Sequence, residues 1–414
     1  MKRLLIDSFT SVFIRVLGSL SAFGLTYVIA NRFSSIDAGS FFFLLSVLFI
    51  LSSVCRFGLD NVFLKLAGEK KILIKEDLET IKSGFLLTII SSVISVMLAL
   101  VFYSFNFLTG FTFIGIVTLL PIYNFIFLFG MILQGQGKTI RSILVLNILI
   151  NLLSCIFLYI FNINNLNFLI LIYVISNSVV FLLCFYLNYK ISIATLTSKI
   201  NFIQVVTKSF PFFIFTFNGQ MQIWFGQLCL GLFTLSSAVA NFAISLRVSL
   251  LLSFILVAIN IVIAPKIAYY VKNNEYIHLK RLIKNSNKII YIVSLPIFIV
   301  FCFNAELIIG LFGSQYSENL VVIYILLFGQ LVNVLTGSVG YLLSMSGFER
   351  DLQFISLFSL SILVLLSLIL VPLFSEVGAA ISTCTAIILQ NTISSYYVKK
   401  RLGINVFSLF GKDL

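Results

Sequence analysis

Twelve apolar runs, most of them roughly twenty residues long, occupy nearly all of this chain. They cover residues 9–31, 38–58, 83–104, 111–133, 140–161, 166–189, 208–232, 240–263, 287–304, 319–344, 353–371 and 377–397. A helix of about 20 residues crosses roughly 30 Å of hydrocarbon. The runs are continuous rather than alternating apolar and polar, which excludes a transmembrane β-barrel. A chain that is 60% hydrophobic and 10% charged is no ordinary soluble domain. The expected fold class is therefore an all-α integral membrane protein with twelve transmembrane helices.

Charge in the gaps orients those helices. Of the 27 Lys and Arg residues, 24 fall in every second gap. They are Lys2 and Arg3, six from Arg56 to Lys82, Lys138 and Arg141, then Lys190, Lys199 and Lys208. Six more run from Lys266 to Lys288, followed by Arg350, Lys399, Lys400, Arg401 and Lys412. Basic loops stay in the cytoplasm, so both termini are expected there, and an even number of spans agrees. The opposite gaps hold Arg32, an expected interface anchor, with Asp37, Glu306, Glu318 and Glu376. The net charge of +13 then reads as helix collars beside anionic lipid headgroups, not as a nucleic-acid surface. The first run lacks an A-x-A cleavage site and reads as a retained helix.

The chain reads as built twice. Leu133 to Gly137 before a basic turn is echoed by Leu343 to Gly347, with the two glycines 210 residues apart. Ala38 to Phe41 is echoed by Val239 to Phe242 at a spacing of 201. The two longest basic gaps follow the second and eighth spans. This pattern predicts two parallel six-helix lobes, residues 1–200 and 201–414, around a central cavity. The gaps Asp60–Lys82 and Lys266–Lys288 interleave charged and apolar residues, and each is expected to form an amphipathic helix on the inner membrane face. Pro121, Pro211, Pro296 and Pro372 interrupt or flank spans, where packing or bending would use them.

Catalytic and metal signatures are missing from the sequence. There is no P-loop, H-E-x-x-H or G-x-S-x-G, so neither an ATP-driven pump nor a membrane hydrolase is indicated. The six cysteines stand singly and the one histidine, His278, lies in a basic loop, which supports no disulfide framework, metal site or cofactor. The chain is not expected to be an enzyme.

Two arginines stand apart from the loop set. Arg15 and Arg247 lie within apolar runs, Arg247 on the outer half of the eighth. A charge near mid-membrane costs at least about 2.5–3.5 kcal/mol on insertion scales. No run carries an Asp or Glu at its middle. Snorkelling explains Arg15 tolerably and Arg247 less well; the alternative is a wet cavity where each guanidinium meets a phosphate. The seventh span is the most polar, with Asn218, Gln220, Gln222, Gln227 and the one tryptophan, Trp224. Helix spacing puts Asn218 and Gln222 on one face and Gln220 and Gln227 on another, and pairs Asn147 with Asn151 on the fifth span. Amides beside an aromatic ring suit sugar hydroxyls and equally suit interhelical hydrogen bonds.

Several local patterns, in order, resemble the polysaccharide flippases of the multidrug/oligosaccharidyl-lipid/polysaccharide exporter superfamily. They are Ile36-Asp37-Ala38-Gly39-Ser40-Phe41, Arg56-Phe57-Gly58-Leu59, Gln136-Gly137-Lys138, Val377-Gly378-Ala379-Ala380-Ile381-Ser382-Thr383 and Lys399-Lys400-Arg401-Leu402-Gly403. The resemblance covers nearly the whole chain. It implies a carrier of undecaprenyl-pyrophosphate-linked oligosaccharides in the bacterial cytoplasmic membrane, serving surface polysaccharide (O-antigen or capsule) synthesis. A polysaccharide polymerase and a chain-length regulator would be partners. It also implies cavity arginines at Arg15 and Arg247, with Arg56 as a third. Peptidoglycan-precursor flippases usually carry two further C-terminal spans, and multidrug exporters of this plan usually carry intramembrane carboxylates; both remain alternatives.

Overall fold

A computed structural model describes residues 2–69, 75–105, 107–161, 164–189, 191, 195 and 199–406. Among these residues the chain is helical, without strands. Each of the twelve runs meets a helix. The first six are α1 (Lys2–Arg32), α2 (Ser35–Arg56), α4 (Lys75–Ser104), α5 (Gly110–Gly135), α6 (Thr139–Phe161) and α7 (Leu166–Leu187), with a shorter α3 (Leu59–Glu69) after α2. The second set opens with α8 (Phe202–Phe233) and α9 (Ser236–Leu250). A single 3-10 turn, Leu251–Ser253, joins α9 to α10 (Phe254–Lys272), and α11 (Tyr276–Phe303) and the short α12 (Ala305–Gly310) follow. The tenth run is broken: α13 (Val321–Thr336) and α14 (Val339–Met345) meet at a 45° bend.

The last two runs fall in one helical stretch, Glu349–Leu402, broken at Ser375 with φ 50° and ψ −130°. Its arms are antiparallel: Ser359 donates to the Ala386 carbonyl at 2.7 Å and Arg401 Nε meets Asp351 at 2.8 Å. We call the arm before Ser375 α15 and the arm after it α16. Eight helices among the described residues are long and apolar enough to span a membrane, nine with the bent pair, and the α15–α16 stretch enters that number once. The protein is thus a multi-pass membrane protein.

The chain forms two compact units, residues 1–224 and 225–414. The division lies inside α8, between Trp224 and Phe225, rather than in the polar stretch before it. In the first unit α2 is central, with 83% of its apolar window buried, whereas α4 has 22%. A helix apolar all round belongs in the interior, and one that leaves its apolar side open faces lipid. The second unit has a core of Ile263, Ile267, Leu279, Ile283, Leu343 and Val398 at the basic ends of its helices.

Two turns, one in each compact unit, share a backbone geometry. Gly137 and Gly347 both adopt left-handed φ, 78° and 82°. In each turn the next residue donates to a carbonyl five residues back, Lys138 to Leu133 at 3.0 Å and Phe348 to Leu343 at 2.9 Å. These are the same helix-ending motif, satisfied by the residue type that tolerates it. Helix starts agree: Ser35 and Ser236 are separated by the 201 residues seen in the sequence echoes.

The two charged gaps differ from expectation. The 266–288 segment is not a separate surface helix, because α10 runs on to Lys272 and α11 begins at Tyr276. In the 60–82 segment α3 does form, but Leu59, Val62, Phe63 and Ala67 are buried against protein. Phe63 meets Phe85 of α4 edge-on at 5.4 Å. Residues 70–74 lie outside those described.

Candidate functional site

Arg56 ends α2 and is buried with 3% exposure. Its Nη1 donates to Ser52 Oγ at 2.6 Å; Ser52 donates to Asn124 Oδ1 at 2.5 Å, and Asn124 Nδ2 to Ser92 Oγ at 3.2 Å. The guanidinium lies over the Phe127 ring at 3.9 Å, a cation–π contact inside the bundle. Its Nε is 4.0 Å from Asp60 Oδ2 in the first turn of α3, and Asp60 is itself 5% exposed. Opposite helix ends supply this pairing, a cation at the C-terminus of α2 and an anion at the N-terminus of α3.

An elbow between the helices brings the two charges together. Phe57 and Gly58 both have left-handed φ, 47° and 75°. A Cβ on Gly58 would strike the α8 backbone at Ser209, Phe212 and Phe213. Phe57 stacks on Phe213 with centroids 4.6 Å apart. The elbow therefore rests directly on α8.

Rings extend the site away from Arg56. Phe127 neighbours Tyr123 at 6.3 Å, Tyr123 neighbours Phe49 at 5.2 Å, and Phe49 neighbours Trp224 at 4.7 Å. All four rings are half-buried. Arg56 and Trp224, separate candidates in the sequence, stand at its two ends. Nearby on α8, Asn218 is buried while Gln220 and Gln222 are half-buried. Gln227 is buried too but falls in the second unit.

A second polar place joins α1 to α6. Residues Leu144–Ile148 form a π turn, which widens the helix and frees a carbonyl from its usual partner. The Asn147 carbonyl accepts from Ser21 Oγ at 3.0 Å and from Asn151 Nδ2 at 2.9 Å. Gly18 admits this approach, because a Cβ there would meet Asn147 Cβ at 2.9 Å. Arg15 lies one helical turn before Gly18 on α1; its side chain is outside the described residues. Arg32, at the other end of α1, donates to the Leu158 carbonyl in the last turn of α6 at 2.6 Å and lies over Tyr159. It anchors one helix to another, a contact that its position beside a span end did not reveal.

In the second unit Arg247 is half-buried in the last turn of α9. The span containing it runs Ser236–Asn260, 25 residues, which makes Arg247 its twelfth residue. It therefore lies near the middle of the span, one turn before the 3-10 break. Gln330 and Asn333 on α13 bond to each other at 3.1 Å.

Glu376 follows the break at Ser375 and accepts from Asn319 Nδ2 at 2.8 Å. Burial raises its pKa, but hydrogen bonds from Ser375, its own backbone, Asn319 and Asn241 outweigh that and hold the carboxyl below the ordinary 4.5. A depressed folded pKa gives stability that is present above the unfolded value and lost as pH falls through the folded one. Glu376→Gln should therefore flatten the loss of thermal midpoint below about pH 4.5, measured by a melting series in detergent.

The described residues, helical throughout and in two compact units, have the fold of the transporters of the MOP superfamily. The lipid II flippase MurJ, inward closed, superposes with a TM-score of 0.73 at 15% identity, over 95% of this chain and 87% of that one. An inward-facing multidrug resistance MATE family transporter of that superfamily gives 0.68 at 14%, over 93% and 94%. The Vibrio cholerae MATE transporter VcmN in its bent form gives 0.53 at 15%, over 97% and 98%. No protein-family model matches the chain, and no curated protein matches it.

Proposed function

We propose that this protein is a flippase that carries undecaprenyl-pyrophosphate-linked oligosaccharide repeat units from the inner to the outer leaflet of the bacterial cytoplasmic membrane. It works by alternating access and feeds surface polysaccharide synthesis. The observation that carries the reading is Arg247, a permanent cation near the middle of a 25-residue apolar span. A guanidinium held there serves a phosphate well, because bidentate bonding is strong where water is scarce. Arg15 on α1 and Arg56 add charge. The half-buried rings Phe49, Tyr123 and Trp224, with Gln220, Gln222, Asn147 and Asn151, supply stacking and hydrogen-bonding surface for sugars. Asn218 and Gln227 are buried and support these helices.

An inside-negative membrane potential drives an anion outward by about 2.3 kcal/mol per charge per 100 mV. Transfer of a lipid-linked peptidoglycan precursor is the second reading, favoured by the likeness to the lipid II flippase. Export of small cations is the third, favoured by the likeness to MATE transporters and by the buried Asp60. Proteoliposomes loaded with a lipid-linked tetrasaccharide, a lipid II analogue or a fluorescent organic cation separate the three. The proposal expects protein-dependent appearance of the tetrasaccharide lipid in the opposite leaflet. Movement of the dye alone would refute it.

A further inference from the structure

Arg56 and Asp60 form an incomplete pair. Their closest approach is 4.0 Å, and Arg56 Nε and Asp60 Oδ1 make no hydrogen bond although both side chains are buried. Breaking a buried pair that is well made costs several kcal/mol, because each charge is left alone in low dielectric. Here the guanidinium already takes most of its support elsewhere, from Ser52 and the Phe127 face. The carboxylate is the weakly held partner, and the space between the two charges is set by the Phe57–Gly58 elbow rather than by direct bonding.

We infer that Asp60 is a resident counter-anion that occupies the place of the substrate's phosphate at Arg56 and competes with it. The inference rests on the proposed pyrophosphate cargo and names the residue that sets affinity for it. In the conformation described here the guanidinium is closed off, with Asp60 on one side and Phe127 on another. Opening the elbow withdraws the α3 carboxylate and exposes a cation already held by Ser52 and its ring. Closing it returns the carboxylate and expels the anion. Asp60 thus weakens binding so that cargo can leave; it is a positioning residue, acting through Arg56. Two diphosphate oxygens can take the places that the single carboxylate leaves open, Nε and the nitrogen beside it, because a guanidinium presents paired donors.

The test is calorimetric titration of the purified full chain in phospholipid-free detergent, with inorganic pyrophosphate as the probe. Asp60→Asn should bind about tenfold tighter than the parent, Asp60→Glu should bind like it, and Arg56→Gln/Asp60→Asn should lose the gain. Asp60→Asn should also turn over lipid-linked tetrasaccharide more slowly, since release becomes harder. A second measurement guards against misfolding: pyrophosphate should raise the thermal midpoint of Asp60→Asn more than that of the parent. Undecaprenyl pyrophosphate in the same micelles shows whether the anion is taken free or lipid-borne, and a tenfold gain with either supports the inference. If the parent binds pyrophosphate and Asp60→Asn binds it equally or more weakly, Asp60 is only structural and the inference falls alone. If neither protein binds either probe, the cargo reading falls with it.

Discussion

Alanine at Arg247 should abolish export of the lipid-linked glycan, and lysine should restore part of it. Alanine leaves a phosphate without its cation in a low-dielectric span, where a lost charged partner costs about 2–5 kcal/mol. That corresponds to a fall of about thirtyfold to several thousandfold in transport. Lysine keeps the charge but not the planar pair of donors, so its recovery should be incomplete. The measurement is surface polysaccharide in a cell that depends on this protein, normalised to protein in the membrane. Arg15→Ala should behave alike. Normal polymer from both alanine proteins at normal abundance would remove the arginines from the mechanism.

Gly58→Val should leave little folded protein. The residue has φ 75°, where a β-branched side chain is strained. Its position also has no space, because a Cβ would meet the α8 backbone at Ser209, Phe212 and Phe213. Backbone cannot move aside as a flexible side-chain tip can. Together the two effects should cost about 3 kcal/mol or more, a large part of a typical folding free energy. Gly137→Ala is the control: its φ of 78° is similar, but nothing lies within 4 Å. It should cost only about 1 kcal/mol, the conformational part. Thermal midpoint and monodisperse yield in detergent separate the two proteins. Equal behaviour would mean that the elbow does not bear on α8.

The spans were legible because membrane-crossing length and apolarity are properties of the chain alone. The matching turns were legible for a related reason, since Gly137 and Gly347 mark a turn that few other residues accept. What stayed hidden depends on where the chain reverses. Arg56 and Asp60 are spaced i,i+4, but nothing in that spacing shows that a chain reversal at Phe57 and Gly58 lies between them or that both are buried. Tyr123 and Phe127 could not be told from the many aromatics that face lipid, since both uses look alike in an apolar run. Reading Gln220 and Gln227 as one face followed from helix spacing, yet the compact units part between them.

The π turn in α6 has no counterpart in the second copy. At the spacing that relates Gly137 to Gly347, Asn147 corresponds to Leu357 and Asn151 to Ser361, and residues 354–358 are regular α-helix. Of the two matching segments, then, only the first carries the irregular, amide-bearing turn. An oligosaccharide bound by such a molecule would be held lopsidedly, its hydroxyls read by one half alone. Such a cargo would have a preferred way round.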